Sequence, residues 1–259
     1  MSDRIHSTAV ISDSAKIAED VEIGAFCVIG DGVEIGRGTR IGSHVVISGP
    51  TTIGEDNRIY QFVSVGDDPQ DKKYRDEATK LFIGDRNTIR EYCTISRGTV
   101  QGEGFTRLGD DNWIMAYVHI AHDCIIGSQC IMANNATLAG HVTVGDYVIF
   151  AGFSGAHQFC KIGAHAFLGM YCGANRDVPA YLMVAGVPAR PRGINSEGLK
   201  RRGFDADQLR DIKNAYRIVY RQRKKLHAAI DEIAVLAKDQ PVLDIFLESL
   251  RSSERGVVR

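Results

Sequence analysis

Ten apolar residues recur at a fixed spacing of six near the start of the chain: Ile11, Ile17, Ile23, Ile29, Ile35, Ile41, Ile47, Ile53, Ile59 and Val65. The period resumes at Ile83, Ile89 and Ile95, shifts phase, and runs again from Leu108 through Ile114, Ile120, Ile126, Met132 and Leu138 to Leu168. A helix repeats at 3.6 residues and a half-buried strand at 2, so neither alone gives six. A period of six is a short strand, a corner and another short strand. Three such hexads close a triangular coil of eighteen residues, and coils stack at about 4.8 Å. Gly follows many repeat positions, among them Gly24, Gly42, Gly84, Gly127 and Gly163, as tight corners require. The expected fold is therefore mainly β, a parallel β-helix of hexapeptide repeats over residues 1–187, with about ten coils.

Two segments break the register. Residues 67–80 are charged and contain Pro69, and residues 96–107 carry Gly98, Gly102 and Gly104. Long loops in a regular solenoid are more often functional than decorative. Past Ala185-Gly186-Val187-Pro188 the periodicity becomes helical, and residues 188–259 read as a small helical domain. Ser196 is positioned to cap a short helix through Lys200–Arg202, and Asp205 or Asp207 to open one reaching about Arg221. Two more follow, from Lys225 to Ala237 and from Val242 to Leu250.

The six cysteines lie two residues before repeat positions, an offset otherwise filled by small or β-branched residues such as Ala15, Val45, Val118 and Ala136. They read as small inward-facing hydrophobes in a reducing compartment rather than as disulfides or zinc ligands. The net charge of −1 gives no global attraction to nucleic acid or anionic membrane. No stretch approaches the roughly 18 apolar residues of a membrane span, and the N-terminus lacks a signal-peptide core. The expected location is the cytoplasm.

Folding the chain at eighteen residues per coil brings His122, His141 and His157 within a residue or two of one edge, with His119 on the same coil as His122. Three readings of this patch stand at this point. Corner histidines can be merely solvated. Three can make a zinc site. A neutral His near pH 7 can take a proton from an attacking hydroxyl, with Asp123 orienting it.

At these residues the sequence resembles the UDP-N-acetylglucosamine 3-O-acyltransferase family. The resemblance is carried by Ala121-His122-Asp123-Cys124, Asn134-Asn135-Ala136-Thr137-Leu138-Ala139-Gly140-His141, His157-Gln158-Phe159, Ile59-Tyr60-Gln61-Phe62, Arg97-Gly98-Thr99-Val100-Gln101 and Glu197-Gly198-Leu199-Lys200-Arg201-Arg202-Gly203-Phe204. It spans nearly the whole chain. It implies a cytoplasmic homotrimer of left-handed parallel β-helices with active sites between neighbouring subunits. It also implies transfer of an (R)-3-hydroxyacyl group from acyl carrier protein to the 3-hydroxyl of UDP-GlcNAc, the first step of lipid A synthesis. The acyl group rides on the carrier's phosphopantetheine, and no metal or other cofactor is implied.

Carried onto this sequence, the resemblance makes His122 the general base, Asp123 its support, and the Gly140 N–H an oxyanion donor. His119, His141 and Gln158 match nucleotide-sugar or acyl contacts, with His157 in the same motif. Asp71 and Lys73 match substrate-contacting positions on the first loop. Asn195, Glu197, Arg201 and Arg202 match the end of the site that holds UDP, where two guanidiniums suit a diphosphate.

Two positions depart from the family pattern. Ser96 stands where relatives often carry His. Met170 stands where many carry Gly and where the acyl chain is expected to run, so its side chain either shortens that groove or only fills a gap in the prism. Arg217, Arg221, Arg223, Lys224 and Lys225 are candidates for docking the acidic carrier protein, or are simply a solvated face. Other readings are a hexapeptide transferase acting on an amino group or using coenzyme A, a zinc hydrolyase, and a structural solenoid. The N-acyltransferase of the same pathway normally carries an extra N-terminal domain, whereas the repeats here begin by Ile11.

Overall fold

The hexads become pairs of short strands because each alternates an outward residue with an inward one. Val28 is exposed and Ile29 buried; Arg40 is exposed and Ile41 buried. The computed structural model describes residues 4–259. Three sheets of nine, eight and ten strands form the faces of a triangular prism, a left-handed parallel β-helix. Registration follows the repeat: Ile29 pairs with Ile47, Ile47 with Val65, Val65 with Ile95, and Ile95 with Ile120. The repeat column is thus one continuous buried stack, each side chain contributing about 1.5–3 kcal/mol by leaving water.

The corners explain the rest of the pattern. Along one edge Phe26, His44, Phe62, Tyr92 and Tyr117 all take the left-handed conformation. Their rings stack on one another, centroids 4.9 to 5.3 Å apart. All six cysteines are buried and free, as their offset in the repeat requires. A ladder of asparagines runs inside the prism: Asn57 Oδ1 accepts the Asn87 N–H (2.9 Å), Asn87 Oδ1 the Asn112 N–H (2.9 Å), and Asn112 Oδ1 the Cys130 N–H (2.8 Å). Each amide satisfies a backbone donor that a corner would otherwise leave buried and unpaired.

The two register breaks are loops, between the strands Ser64–Asp67 and Lys80–Ile83 and between Thr94–Ser96 and Phe105–Leu108. After Leu182–Ala185 the chain turns and returns as Arg190–Ile194, antiparallel to it, so the third sheet runs on to Ile194. This strand caps the sheet edge with neither side fully buried, so it carries no apolar period to read.

The helices are α1 (Ser196–Arg201), α2 (Ala206–Tyr220), α3 (Leu226–Ala237) and α4 (Asp244–Arg251). Asn195, not Ser196, caps α1. Asp205 caps α2 in a capping box with Gln208. Among the described residues, no helix is long and apolar enough to cross a membrane.

Candidate active site

One prism edge is built from two adjacent columns with a period of eighteen. Asp123, His141 and Phe159 occupy the left-handed corner position, with φ of 59°, 62° and 65°. His122, Gly140 and Gln158 immediately precede them. Stacking therefore sets His122 directly against Gly140. A Cβ at Gly140 would lie 2.5 Å from His122 Cε1 and 2.8 Å from Nε2, so the imidazole fills the space that glycine leaves.

The second loop supplies the support. The Thr99 N–H donates to Asp123 Oδ1 (2.9 Å) and the Thr99 hydroxyl to Oδ2 (2.6 Å). The Asp123 N–H donates to Thr106 Oγ1 (2.8 Å). Thus fixed, Asp123 Oδ2 lies 2.8 Å from His122 Nδ1 and 3.6 Å from His141 Nε2. Burial works against the charged carboxylate, but hydrogen bonds from His122 and Thr99 outweigh it and hold Asp123 below the usual range. An ionised Asp123 can only accept, which assigns the His122 proton to Nδ1 and leaves the Nε2 lone pair free. Burial pushes His141 below the usual imidazole range, with His122 adding to it and Asp123 opposing. His141 stacks on Phe159 (4.4 Å) and meets His122 edge-on (5.1 Å).

The first loop closes the other side. A cleft of about 540 Å³ is lined by Asp71 and Lys73 from that loop, Gln101 from the second, and His122, His141 and Gln158 from the edge. Arg97 holds the first loop there. Its guanidinium donates to the Gly49 and Gly66 carbonyls (3.0 Å each) and to the Tyr74 hydroxyl (2.8 Å), and pairs with Asp68.

Asp71, Lys73, His122, Asp123, Gly140, His141 and Gln158 thus converge, and the remaining candidates lie elsewhere on the chain. His119 Nδ1 is 2.7 Å from the Thr94 hydroxyl, and burial lowers its pKa. His157 stands one position earlier in the repeat than His122, level with Ala139. It therefore faces a separate apolar groove beside Gly155, Val187 and Pro188. Met170 is exposed on another edge, with its Cε over Gly152.

Around α1, Glu197 pairs with Lys200 (3.0 Å) and Arg201 is exposed. The Arg202 guanidinium lies over the Tyr147 ring (4.8 Å). Asn195 is committed to the fold: Oδ1 accepts the Gly198 N–H (3.2 Å) and Nδ2 donates to the His165 carbonyl (3.0 Å). Asn195 thus caps α1 and ties it to the prism, at the start of the segment expected to hold UDP. Ser96 is buried in a strand paired with Asp67. Thr99, Thr106 and Arg97 were not singled out as site residues by sequence reasoning. Their signals were the loop that breaks the repeat and, for Arg97 and Thr99, the Arg97-Gly98-Thr99-Val100-Gln101 motif of the resemblance, which assigned them no role.

The ligand atoms of His122, Asp123 and His141 all lie within 4.8 Å of one another, close enough to share a metal ion. Asp123 Oδ2 already faces the Thr99 hydroxyl and His122 Nδ1, so a metal there would have to displace them. The arrangement is better suited to proton transfer: an oriented imidazole, a fixed carboxylate behind it, and a loop presenting Asp71 and Lys73 across the cleft.

A family model described as UDP-N-acetylglucosamine O-acyltransferase, domain 2, matches residues 177–258. One for bacterial transferase hexapeptide repeats matches residues 14–49 and 105–140. The acyl-[acyl-carrier-protein]–UDP-N-acetylglucosamine O-acyltransferase of Thiobacillus denitrificans is 56% identical over 98% of this chain and 99% of its own length. That of Stenotrophomonas maltophilia K279a is 55% identical over 99% and 98%. The crystal structure of the Francisella novicida UDP-N-acetylglucosamine acyltransferase superposes with a TM-score of 0.97 at 46% identity, covering 98% of this chain and 94% of that one.

Proposed function

The chain belongs to the acyl-[acyl-carrier-protein]–UDP-N-acetylglucosamine O-acyltransferase family, and from that membership we propose that it moves an (R)-3-hydroxyacyl chain from acyl carrier protein to the 3-hydroxyl of UDP-GlcNAc. That is the first step of lipid A biosynthesis. The observation that carries the mechanism is the His122–Asp123 pair at 2.8 Å.

His122 Nε2 takes the proton of the sugar 3-hydroxyl as its oxygen attacks the thioester carbonyl. Asp123 steadies the imidazolium that forms. Among the described residues no acceptor in the chain lies on the Gly140 N–H, which leaves it for the tetrahedral oxyanion. Collapse breaks the C–S bond, and the departing phosphopantetheine thiolate takes the proton back from His122. In this reading Lys73 and Asp71, which line the cleft, hold the nucleotide sugar across it.

The assembly in this reading is a cytoplasmic homotrimer in which a neighbour's α1 segment, with Glu197, Arg201 and Arg202, completes the cleft. Arg217, Arg221, Arg223, Lys224 and Lys225 receive the carrier protein. No metal or cofactor takes part.

The test is acyl transfer by wild type and His122→Ala from 3-hydroxyacyl carrier proteins of several lengths. Loss of about 10²–10⁴ in kcat with the oligomer intact is expected. Retained activity, or activity that follows stoichiometric zinc, would favour the metal reading. Met170 either shortens the acyl groove or only fills a gap in the prism, and the same donors decide between the two. Met170→Gly should extend the preferred donor by the methylenes it admits, each worth roughly 1–3 kcal/mol of discrimination. An unchanged preference would reduce Met170 to a gap filler.

A further inference from the structure

Past the end of the β-helix the chain forms a further, open cavity of about 330 Å³. Arg190 of the last sheet strand, Arg221 and Arg223 just beyond α2, Lys224 and Arg259 line it, and among the described residues no Asp or Glu does. Lys224 is paired with Glu232. Among the described residues, no carboxylate lies within ion-pairing distance of the four guanidiniums. Like charges gathered without a counter-charge repel one another, and arginine is the cation whose planar fork matches an oxyanion two bonds at a time.

A second observation is independent of the charges. Tyr220 lines the same cavity, and its hydroxyl is shielded from solvent and has no hydrogen-bond partner. Buried hydroxyls are nearly always paired. Tyr216 leans on the Tyr220 ring (4.9 Å) and holds it in place. Burial also pushes the Tyr220 hydroxyl above the usual phenol range, so it remains a donor. Unbalanced positive charge and a buried donor without an acceptor are met by the same kind of group.

We propose that this cavity binds a phosphate group, a phosphate ester or a diphosphate, held by the Arg190, Arg221 and Arg259 guanidiniums and by a hydrogen bond from the Tyr220 hydroxyl. The inference goes beyond the acyl-transfer reading, which uses Arg221 and Arg223 only as an exposed docking face and gives Tyr220 no part. The phosphate is either free in solution or carried on a pantetheine arm, and the test separates the two.

The experiment is calorimetric titration of the full chain at low salt with pyrophosphate and, in a second arm, with 4′-phosphopantetheine. In an Arg201→Ala/Arg202→Ala background, which removes the guanidiniums assigned to the UDP diphosphate, one site per chain is expected, weakened about tenfold by Arg190→Ala, several-fold by Tyr220→Phe, and unchanged by Lys73→Ala in the catalytic cleft. Tighter binding of phosphopantetheine assigns the site to a carried phosphate; tighter binding of pyrophosphate assigns it to a free one.

Tyr220→Phe carries its own folding control. Without ligand its Tm should equal or exceed that of wild type, because it removes an unsatisfied hydroxyl, while the pyrophosphate-induced rise in Tm should shrink. No binding in the Arg201→Ala/Arg202→Ala background would overturn the proposal. So would binding that survives both pocket substitutions, or that disappears in Lys73→Ala instead.

Discussion

His122 owes its geometry to residues one coil away. Gly140 is the clearest case, because its φ is not left-handed and alanine is no backbone problem there. What forbids a side chain is the imidazole, 2.5 Å from where the Cβ would sit. Gly140→Ala should therefore fold with a Tm close to wild type and lose about 10²-fold in kcat, since displacing a reacting group by about 1 Å costs that much. Kinetics beside thermal unfolding check it, and full activity would mean that the imidazole can shift without penalty. The same stacking shows what sequence could and could not read at this scale. A spacing of eighteen brought His122 and His141 together correctly. It grouped His157 with them as well, but successive corner residues point apart, and one step in the repeat turns His157 into the neighbouring apolar groove. Phe159, two positions on, is the ring that meets His141.

At the scale of elements, the strands were legible because one face of each is buried and the period of six survives in the chain. The four helices were legible from their apolar spacing. The antiparallel strand Arg190–Ile194 was not, being half-exposed on both sides. The asparagine ladder was not, because Asn57, Asn87 and Asn112 look like ordinary turn residues until the coils stack. The loops were visible as interruptions, but nothing in the chain said what fixes them. Arg97 does so, with a side chain 13% exposed that reaches two carbonyls, Tyr74 and Asp68. Arg97→Ala would leave the Gly49 and Gly66 carbonyls without this donor, a cost of about 1–3 kcal/mol each. It would also free the loop bearing Asp71 and Lys73. The expected result is a Tm lower by several degrees and a KM for UDP-GlcNAc raised about tenfold, with kcat less affected. A changed kcat at constant KM would assign Arg97 to the chemistry rather than to the loop.

Across the whole molecule, the helical tail is fastened to the prism at several points. Lys161 donates to the Ser252 carbonyl (2.8 Å), Ser253 to Asp177 (2.7 Å), and the Tyr181 hydroxyl to the Val242 carbonyl (2.7 Å). At the junction His165 stacks between Tyr147 (4.7 Å) and Tyr181 (5.6 Å), with Phe204 edge-on (5.2 Å). Prism and tail should therefore unfold in one transition, and that transition should be sensitive to acid. Burial, reinforced by the Arg202 charge and opposed by Asp146, lowers the His165 pKa to about 4. In the unfolded chain it returns to about 6.5. Between these values the unfolded chain binds a proton that the folded one refuses, so stability is complete above about pH 6.5 and falls as the pH drops toward 4. The loss is bounded at about 3 kcal/mol. His119 and His141, also lowered by burial, act in the same direction. Asp123, held below the usual carboxylate range, adds its own loss only below about pH 4. Urea unfolding at pH 7, 5.5 and 4.5 measures the slope directly, and His165→Phe keeps a ring in the stack while removing the titration. A flatter slope in that variant places the acid sensitivity at the junction. An unchanged slope would move it to the other lowered histidines, His119 and His141.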